Sequence, residues 1–219
     1  MIISLTGFMG CGKSSVGKAL SALLCCPFID LDSAIEEISG RTIPEIFRSD
    51  GEAAFRRMEH EALCNIICRV EGDERFLKQS LQSAMGLSLC GQRGSTVSKT
   101  VHLPQSLKKN MILALGGGTV MTPGCAELVH EQTLCIYLRA SVDTLVSHLE
   151  GESEGRPMLS GGCHSERPEA DKESALRSRI EDLMAQRSAT YEKTAHVIID
   201  TDGLDISQIT ELIISSIKY

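Results

Sequence analysis

The sequence predicts a three-layer α/β fold, a central five-stranded parallel sheet with helices on both faces. Three observations carry this expectation. A glycine-rich loop follows the first strand candidate and opens the first helix. Short, apolar, β-rich runs then alternate with longer helical stretches along the whole chain. Those runs are mostly apolar rather than strictly alternating with polar residues, as strands buried on both faces of a parallel sheet are. At 219 residues, with 42% hydrophobic and 23% charged residues, the chain fits one soluble domain over 1–219.

The elements follow in order. Ile2–Leu5 reads as the first strand and Val16–Leu24 as a helix packed behind the glycine loop. Pro27–Asp30 is the second strand, and Ser33 followed by Glu36 is a capping-box pattern that starts a helix over Ser33–Ser39. A longer helix covers Glu52–Val70, and Met111–Leu115 is the third strand, running into Gly116-Gly117-Gly118. Helices over Cys125–His130 and Val142–Leu149 flank the fourth strand, Thr133–Arg139. Ser174–Glu192 is helical, His196–Asp200 is the fifth strand and Ile206–Ile217 is the last helix. Two stretches fit the alternation poorly: an insertion at about 71–110, polar and without sustained periodicity, and a glycine-containing, charged segment at about 150–172. Both read as excursions from the sheet, the first a tolerated surface excursion near the substrate side.

Composition excludes several functions. A net charge of −7 argues against a nucleic-acid surface, which is normally basic. No apolar run is long enough to span a membrane, and the first strand begins at Ile2, so the expected location is cytoplasmic without a leader. The nine cysteines are odd in number and irregularly spaced; Cys25, Cys26, Cys64, Cys68 and Cys135 fall in apolar segments, where buried reduced thiols are expected rather than a metal site.

Gly7-Phe8-Met9-Gly10-Cys11-Gly12-Lys13-Ser14 matches Gly-x4-Gly-Lys-Ser, the phosphate-binding loop of nucleotide-using proteins. Glycines let successive N–H groups converge on phosphate oxygens at a helix N-terminus. The nucleotide-binding candidates are Gly10, Cys11, Gly12, Lys13, Ser14 and Ser15, with Lys13 reaching the β/γ phosphates and the Ser14 hydroxyl meeting Mg2+. The third strand ends without the acid that usually supports the metal, and the nearest acids are Asp30 and Asp32 at the end of the second strand. One carboxylate suits the metal and the other a substrate hydroxyl; helix capping is the competing role for Asp32. Cys11, beside Lys13 and a helix N-terminus, is a candidate reactive thiol that bound ATP would protect, against the plainer reading of a small residue tolerated for size.

Asp30-Leu31-Asp32, the stretch Gly40-Arg41-Thr42-Ile43-Pro44-Glu45-Ile46-Phe47 and the stretch Gly51-Glu52-Ala53-Ala54-Phe55-Arg56-Arg57-Met58-Glu59 resemble shikimate kinases. Gly116-Gly117-Gly118, Arg156-Pro157-Met158-Leu159 and Arg187 followed by Tyr191 extend the resemblance over residues 1 to about 68 and 111 to 219. It implies a P-loop kinase fold with a mobile lid, and transfer of the γ-phosphoryl group of ATP to the 3-hydroxyl of shikimate, on the route to chorismate and the aromatic amino acids. It implies Asp30 and Ser14 for Mg2+, Lys13, Asp32 and Arg156 for catalysis, and Arg156 on the lid over ATP. It also implies Asp32, Arg56, Gly116, Gly117, Gly118 and Arg187 for shikimate, the two guanidinium groups suiting a planar carboxylate.

The expected partners are therefore ATP and shikimate, with no nucleic acid, no membrane and a monomeric state. The chain departs from the family at the adenine end. His148-Leu149 stands where an arginine is common, and Asp202-Gly203-Leu204-Asp205 follows the last strand where a proline is common. Two other readings stay open: another small-molecule P-loop kinase, acting on gluconate or a nucleoside monophosphate, and a non-catalytic relative.

Overall fold

The computed structural model describes residues 1–71, 110–150 and 169–217. Most of the expected insertion and lid, with Arg156, lies outside the described residues. In chain order the elements are β1 (Ile2–Thr6), α1 (Lys13–Leu24), β2 (Phe28–Asp30), α2 (Leu31–Ser39) and α3 (Ile43–Glu71). They continue with β3 (Met111–Ala114), α4 (Cys125–Gln132), β4 (Leu134–Arg139), α5 (Val142–Leu149), α6 (Glu169–Thr194), β5 (Val197–Asp200) and α7 (Ile206–Ile217). A single 3-10 turn at Thr119–Met121 follows β3.

The five strands pair in the order β2-β3-β1-β4-β5, every pairing parallel. Leu5 lies opposite Ala114 on one side and Ile136 on the other, so β1 is central and buried along its length. Alternate residues divide between two apolar clusters. Ile3, Leu5, Ile112, Ile136 and Leu138 join one, with Val16, Leu20, Leu145 and Ile213. Ile2, Met111, Leu113, Cys135 and Tyr137 join the other, with Leu31, Leu63, Val129 and Tyr191. A period of two sends neighbours in a strand to opposite faces, so these are the two helix layers of the predicted sandwich. The chain leaves β1 for β2 and β3 on one side, then crosses to β4 and β5 on the other. Such a reversal opens a crevice at the carboxyl ends of the strands.

The expected strands are all present. The helix starts differ in four places: α1 begins at Lys13 rather than Val16, α6 at Glu169 rather than Ser174, and α2 and α3 also start early. α2 begins at Leu31, and its cap is Asp30, whose carboxylate accepts from the N–H groups of Asp32 at 3.1 Å and Ser33 at 3.4 Å. The expected box at Ser33 and Glu36 does not form, because Glu36 reaches instead to the N–H of Ile43 at 2.8 Å. The reciprocal box stands at Thr42 and Glu45, opening α3 with Pro44 in its first turn: Glu45 Oε2 accepts from Thr42 N–H at 2.8 Å, and Thr42 Oγ1 from Glu45 N–H at 3.4 Å. α3 therefore starts nine residues before the expected Glu52, and Gly51 interrupts it at φ 80°, ψ 172°.

Helix α1 sets the phosphate loop against β2. Its buried face includes Val16, Gly17 and Leu20, and a Cβ on Gly17 would lie 2.4 Å from Phe28 Cε2. Gly17→Ala is therefore expected to lower stability by about 1–3 kcal/mol through overpacking, despite a helix-propensity gain of about 1 kcal/mol. A thermal melt at or above the wild-type midpoint would contradict that close fit.

Cys11, Cys125 and Cys135 are buried free thiols, and burial pushes Cys125 up to about 12 and Cys135 to about 11. Cys25 corrects the expectation: it is exposed and ends α1 at φ 47°. Cys26 and Cys64 are only partly buried. Among the described residues no helix is long and apolar enough to cross a membrane, and no cluster of three metal-ligating side chains forms.

Candidate active site

The crevice over the carboxyl ends of the strands is an open cavity of 1160 Å³. Its middle is the phosphate loop. Gly7, Gly10 and Gly12 take φ values of 142°, 83° and 88°, and Gly12 is the N-cap of α1, so the loop turns directly into a helix N-terminus. Lys13 Nζ donates to the carbonyls of Gly7 at 2.9 Å and Phe8 at 2.8 Å, which holds the ammonium inside the loop. Cys11 is buried with its sulfur 3.9 Å from Lys13 Nζ. A modifying reagent therefore reaches this thiol only if the loop rearranges.

Asp30 divides its carboxylate between two tasks. Oδ1 caps α2, and Oδ2 accepts from the Ser14 hydroxyl at 2.5 Å. A hydroxyl and a carboxylate side by side at the phosphate loop form an oxygen donor set suited to Mg2+, which commonly takes one or two carboxylates and completes its shell with water and phosphate. Asp32 does not lie at the end of the second strand as expected, because Leu31 and Asp32 belong to the first turn of α2. Both acids still line the cavity. Burial, then the neighbouring charges of Asp30 and Glu59, raise Asp32 to about 6, against the opposing pull of Lys13 and Arg56.

Gly116, Gly117 and Gly118 are required for space, not for unusual backbone angles. A Cβ on Gly116 would stand 2.6 Å from Asp32 Oδ1, and one on Gly118 would stand 2.7 Å from both terminal nitrogens of Arg56. Gly117 would meet the Met9 nitrogen at 3.1 Å, and its carbonyl accepts from the Tyr191 hydroxyl and from Arg187 at 3.3 Å. The glycine turn is thus wedged between the phosphate loop, α3 and α6.

Two guanidinium groups reach the cavity from different helices. Arg56, on α3, donates to Glu59 at 2.9 Å and Glu52 at 3.2 Å. Arg187, on α6, is 6% exposed and lies 5.9 Å from the Phe8 ring centre. Glu59 had no role in the sequence reading. It is fully buried and accepts from Thr119 at 2.7 Å, Thr122 at 3.1 Å and Arg56, joining α3 to the turn after β3. Its sequence signal was the three-residue spacing from Arg56, which places the two side chains on one helix face.

The other end of the cavity is lined by His148, Thr201, Leu204, Asp205, Ile206 and Ser207. Asp202 ties this segment to α5, accepting from the Ser141 N–H at 2.9 Å and the Thr144 hydroxyl at 2.7 Å. Gly10, Cys11, Gly12, Lys13, Ser14, Ser15, Asp30, Asp32, Arg56, Gly116, Gly117, Gly118 and Arg187 all line one space. Only Arg156 of the expected site lies outside the described residues.

A phosphate loop at the carboxyl end of a central parallel strand, facing a carboxylate and paired arginines, defines a P-loop phosphotransferase. A family model described as shikimate kinase matches residues 9–71 and 98–218. The chain is 30% identical to a shikimate kinase of Dictyoglomus turgidum over 99% of its own length and 96% of the relative's. It is 32% identical to one of Thermus thermophilus, covering 98% and 89%. Its structure is similar to a shikimate kinase from Acinetobacter baumannii solved in complex with shikimate, with a TM-score of 0.71, 26% identity and 99% and 92% of the two chains covered. A shikimate kinase from Bacteroides thetaiotaomicron shares the fold at a TM-score of 0.72 and 24% identity, over 100% and 99% of the chains. The chain belongs to the shikimate kinase family, and it is a phosphotransferase with an alcohol group as acceptor.

Proposed function

We propose that the protein transfers the γ-phosphoryl group of ATP to the 3-hydroxyl of shikimate, giving shikimate 3-phosphate and ADP. The observation that carries this reading is the placing of Asp32, Arg56 and Arg187 around the glycine turn in the cavity that also holds the phosphate loop. Two arginines suit the single carboxylate of shikimate, and Asp32 suits a ring hydroxyl. A phosphorylated acceptor would place a second polyanion there, where Asp32 and Glu59 oppose it. That disfavours the nucleoside monophosphate alternative.

In this reading the loop amides from Gly10 to Ser15 bind the triphosphate, and Lys13 leaves its carbonyl partners to meet the β/γ oxygens. Ser14 and Asp30 would hold Mg2+, which when bound neutralises phosphate charge. Asp32 orients the acceptor hydroxyl and receives its proton, while Arg56 and Arg187 hold the acceptor's carboxylate. Phosphoryl transfer asks for this alignment more than for a strong base. Arg156, by resemblance, closes over the transferring group. A cytoplasmic monomer made of one domain over 1–219 belongs to the same proposal; the single domain is supported by the one five-stranded sheet of the described residues.

A coupled assay of ADP release tests the reading, with shikimate-dependent turnover as the expected result. Turnover independent of shikimate, or none at all, overturns it. Arg187→Leu is expected to raise KM for shikimate by about 10- to 100-fold, the size of a lost charged hydrogen-bond pair, with KM for ATP changed much less. Equal rises in both constants would remove Arg187 from the acceptor site.

A further inference from the structure

We propose that His148 is a positioning residue for the phosphate loop, holding the Gly10–Cys11 peptide in the turn that gives the loop its triphosphate-binding shape. His148 Nδ1 lies 2.9 Å from the Gly10 carbonyl oxygen. A carbonyl can only accept, so Nδ1 carries the proton and is the donor. No peptide among the described residues is cis, and in a trans peptide the C=O and N–H point in opposite directions. Fixing the Gly10 oxygen toward α5 therefore turns the Cys11 N–H away from α5. There it donates to the Phe8 carbonyl at 3.3 Å, across the same loop whose first carbonyls hold Lys13.

Gly10 needs such a holder. At φ 83° it occupies a region glycine enters freely, so a peptide flip beside it meets little intrinsic resistance. The next residue of α5 completes the grip, since a Cβ on Gly10 would lie 2.9 Å from Cγ of the fully buried Leu149. α5 is itself anchored. Asp202 holds its N-terminal cap, and Asp143 pairs with Arg177 of α6 at 2.6 Å. The last two residues of a fixed helix thus set one peptide of the loop, one by a hydrogen bond and the other by packing.

The proposal rests on the reading that this loop holds a triphosphate, and its test needs no acceptor. Calorimetry with inorganic tripolyphosphate and Mg2+, and separately with MgATP, compares the wild-type chain with His148→Leu, His148→Ala and His148→Asn. The leucine and alanine variants are expected to bind both ligands about 3- to 10-fold more weakly, the effect of one lost neutral hydrogen bond. Asparagine, whose amide N–H can stand where Nδ1–H does, is expected to recover most of the affinity. KM for shikimate should stay near wild type, as should the ligand-free melting midpoint, because His148 is exposed. Unchanged tripolyphosphate binding in the leucine and alanine variants overturns the proposal, including the case where ATP alone binds worse and His148 serves only the base. An asparagine variant as weak as leucine overturns it too. Loss of turnover with intact tripolyphosphate effects would instead count against the shikimate reading alone.

Discussion

Asp32→Asn is expected to lower kcat by about 10²- to 10⁴-fold, the usual contribution of a positioned acid–base group, while ATP binds nearly as before. The side chain keeps its size and can still touch the acceptor hydroxyl, but it can no longer take the proton. Because burial and the charges of Asp30 and Glu59 raise Asp32 to about 6, wild-type kcat/KM should rise with pH through that value as the carboxylate ionises. The variant should lose this acid limb. A kcat within a few-fold of wild type would take the proton-accepting role away from Asp32.

The same residue makes a stability prediction of opposite sign. Asp32 titrates near 3.8 when unfolded and near 6 when folded, so the folded state holds the proton more tightly. Its favourable contribution is complete below the unfolded value and disappears as pH rises through the folded one. At pH 7.5 the ionised carboxylate is a liability, and Asp32→Asn is expected to stabilise the ligand-free protein by about 1–3 kcal/mol, less than a fully enclosed group would give because Asp32 faces an open cavity. Denaturant melts should show the gap closing as pH is lowered toward 4. A variant less stable than wild type at pH 7.5 would mean that Asp32 is held by favourable contacts rather than strained by its neighbours.

Glu59→Ala is expected to be the most damaging substitution for stability outside the loop, by about 2–4 kcal/mol. It removes the partner of the half-buried Arg56 and two hydroxyl contacts with Thr119 and Thr122 at once. Glu59→Gln keeps the shape and an acceptor for the hydroxyls, so about half the loss is expected. Both variants should raise KM for shikimate, because Arg56 is free to turn away from the cavity. Urea unfolding and steady-state kinetics check the two effects together. A Glu59→Ala protein with wild-type stability and an unchanged KM would reduce the Arg56–Glu59 pair to an incidental contact.

The strands were legible because apolar runs bounded by turns have few other uses in a chain of this composition. The phosphate loop was legible because its chemistry is carried by contiguous residues, so spacing alone exposes it. Helix starts were less legible. Ser33-x-x-Glu36 and Thr42-x-x-Glu45 are the same capping pattern, and only the second forms, because Asp30 already caps α2 and Glu36 is drawn to the Ile43 N–H. Glu59 escaped assignment for a related reason. On one helix it is a neighbour of Arg56 and nothing more, and its other partners lie 60 and 63 residues away.

The sequence by itself determined the layered fold, the phosphate loop, the two acids after the second strand and, by resemblance, the family. Each of these rests on local order or short spacing, which a linear reading can see. Only the tertiary structure decided which atoms share a space. It showed that Gly116 and Gly118 are glycine to admit Asp32 and Arg56, that Asp30 serves helix and loop with different oxygens, and that His148 reaches the Gly10 carbonyl 138 residues away. Those facts depend on close approach between distant segments, and close approach is set by the packing of the whole domain rather than by any stretch of chain.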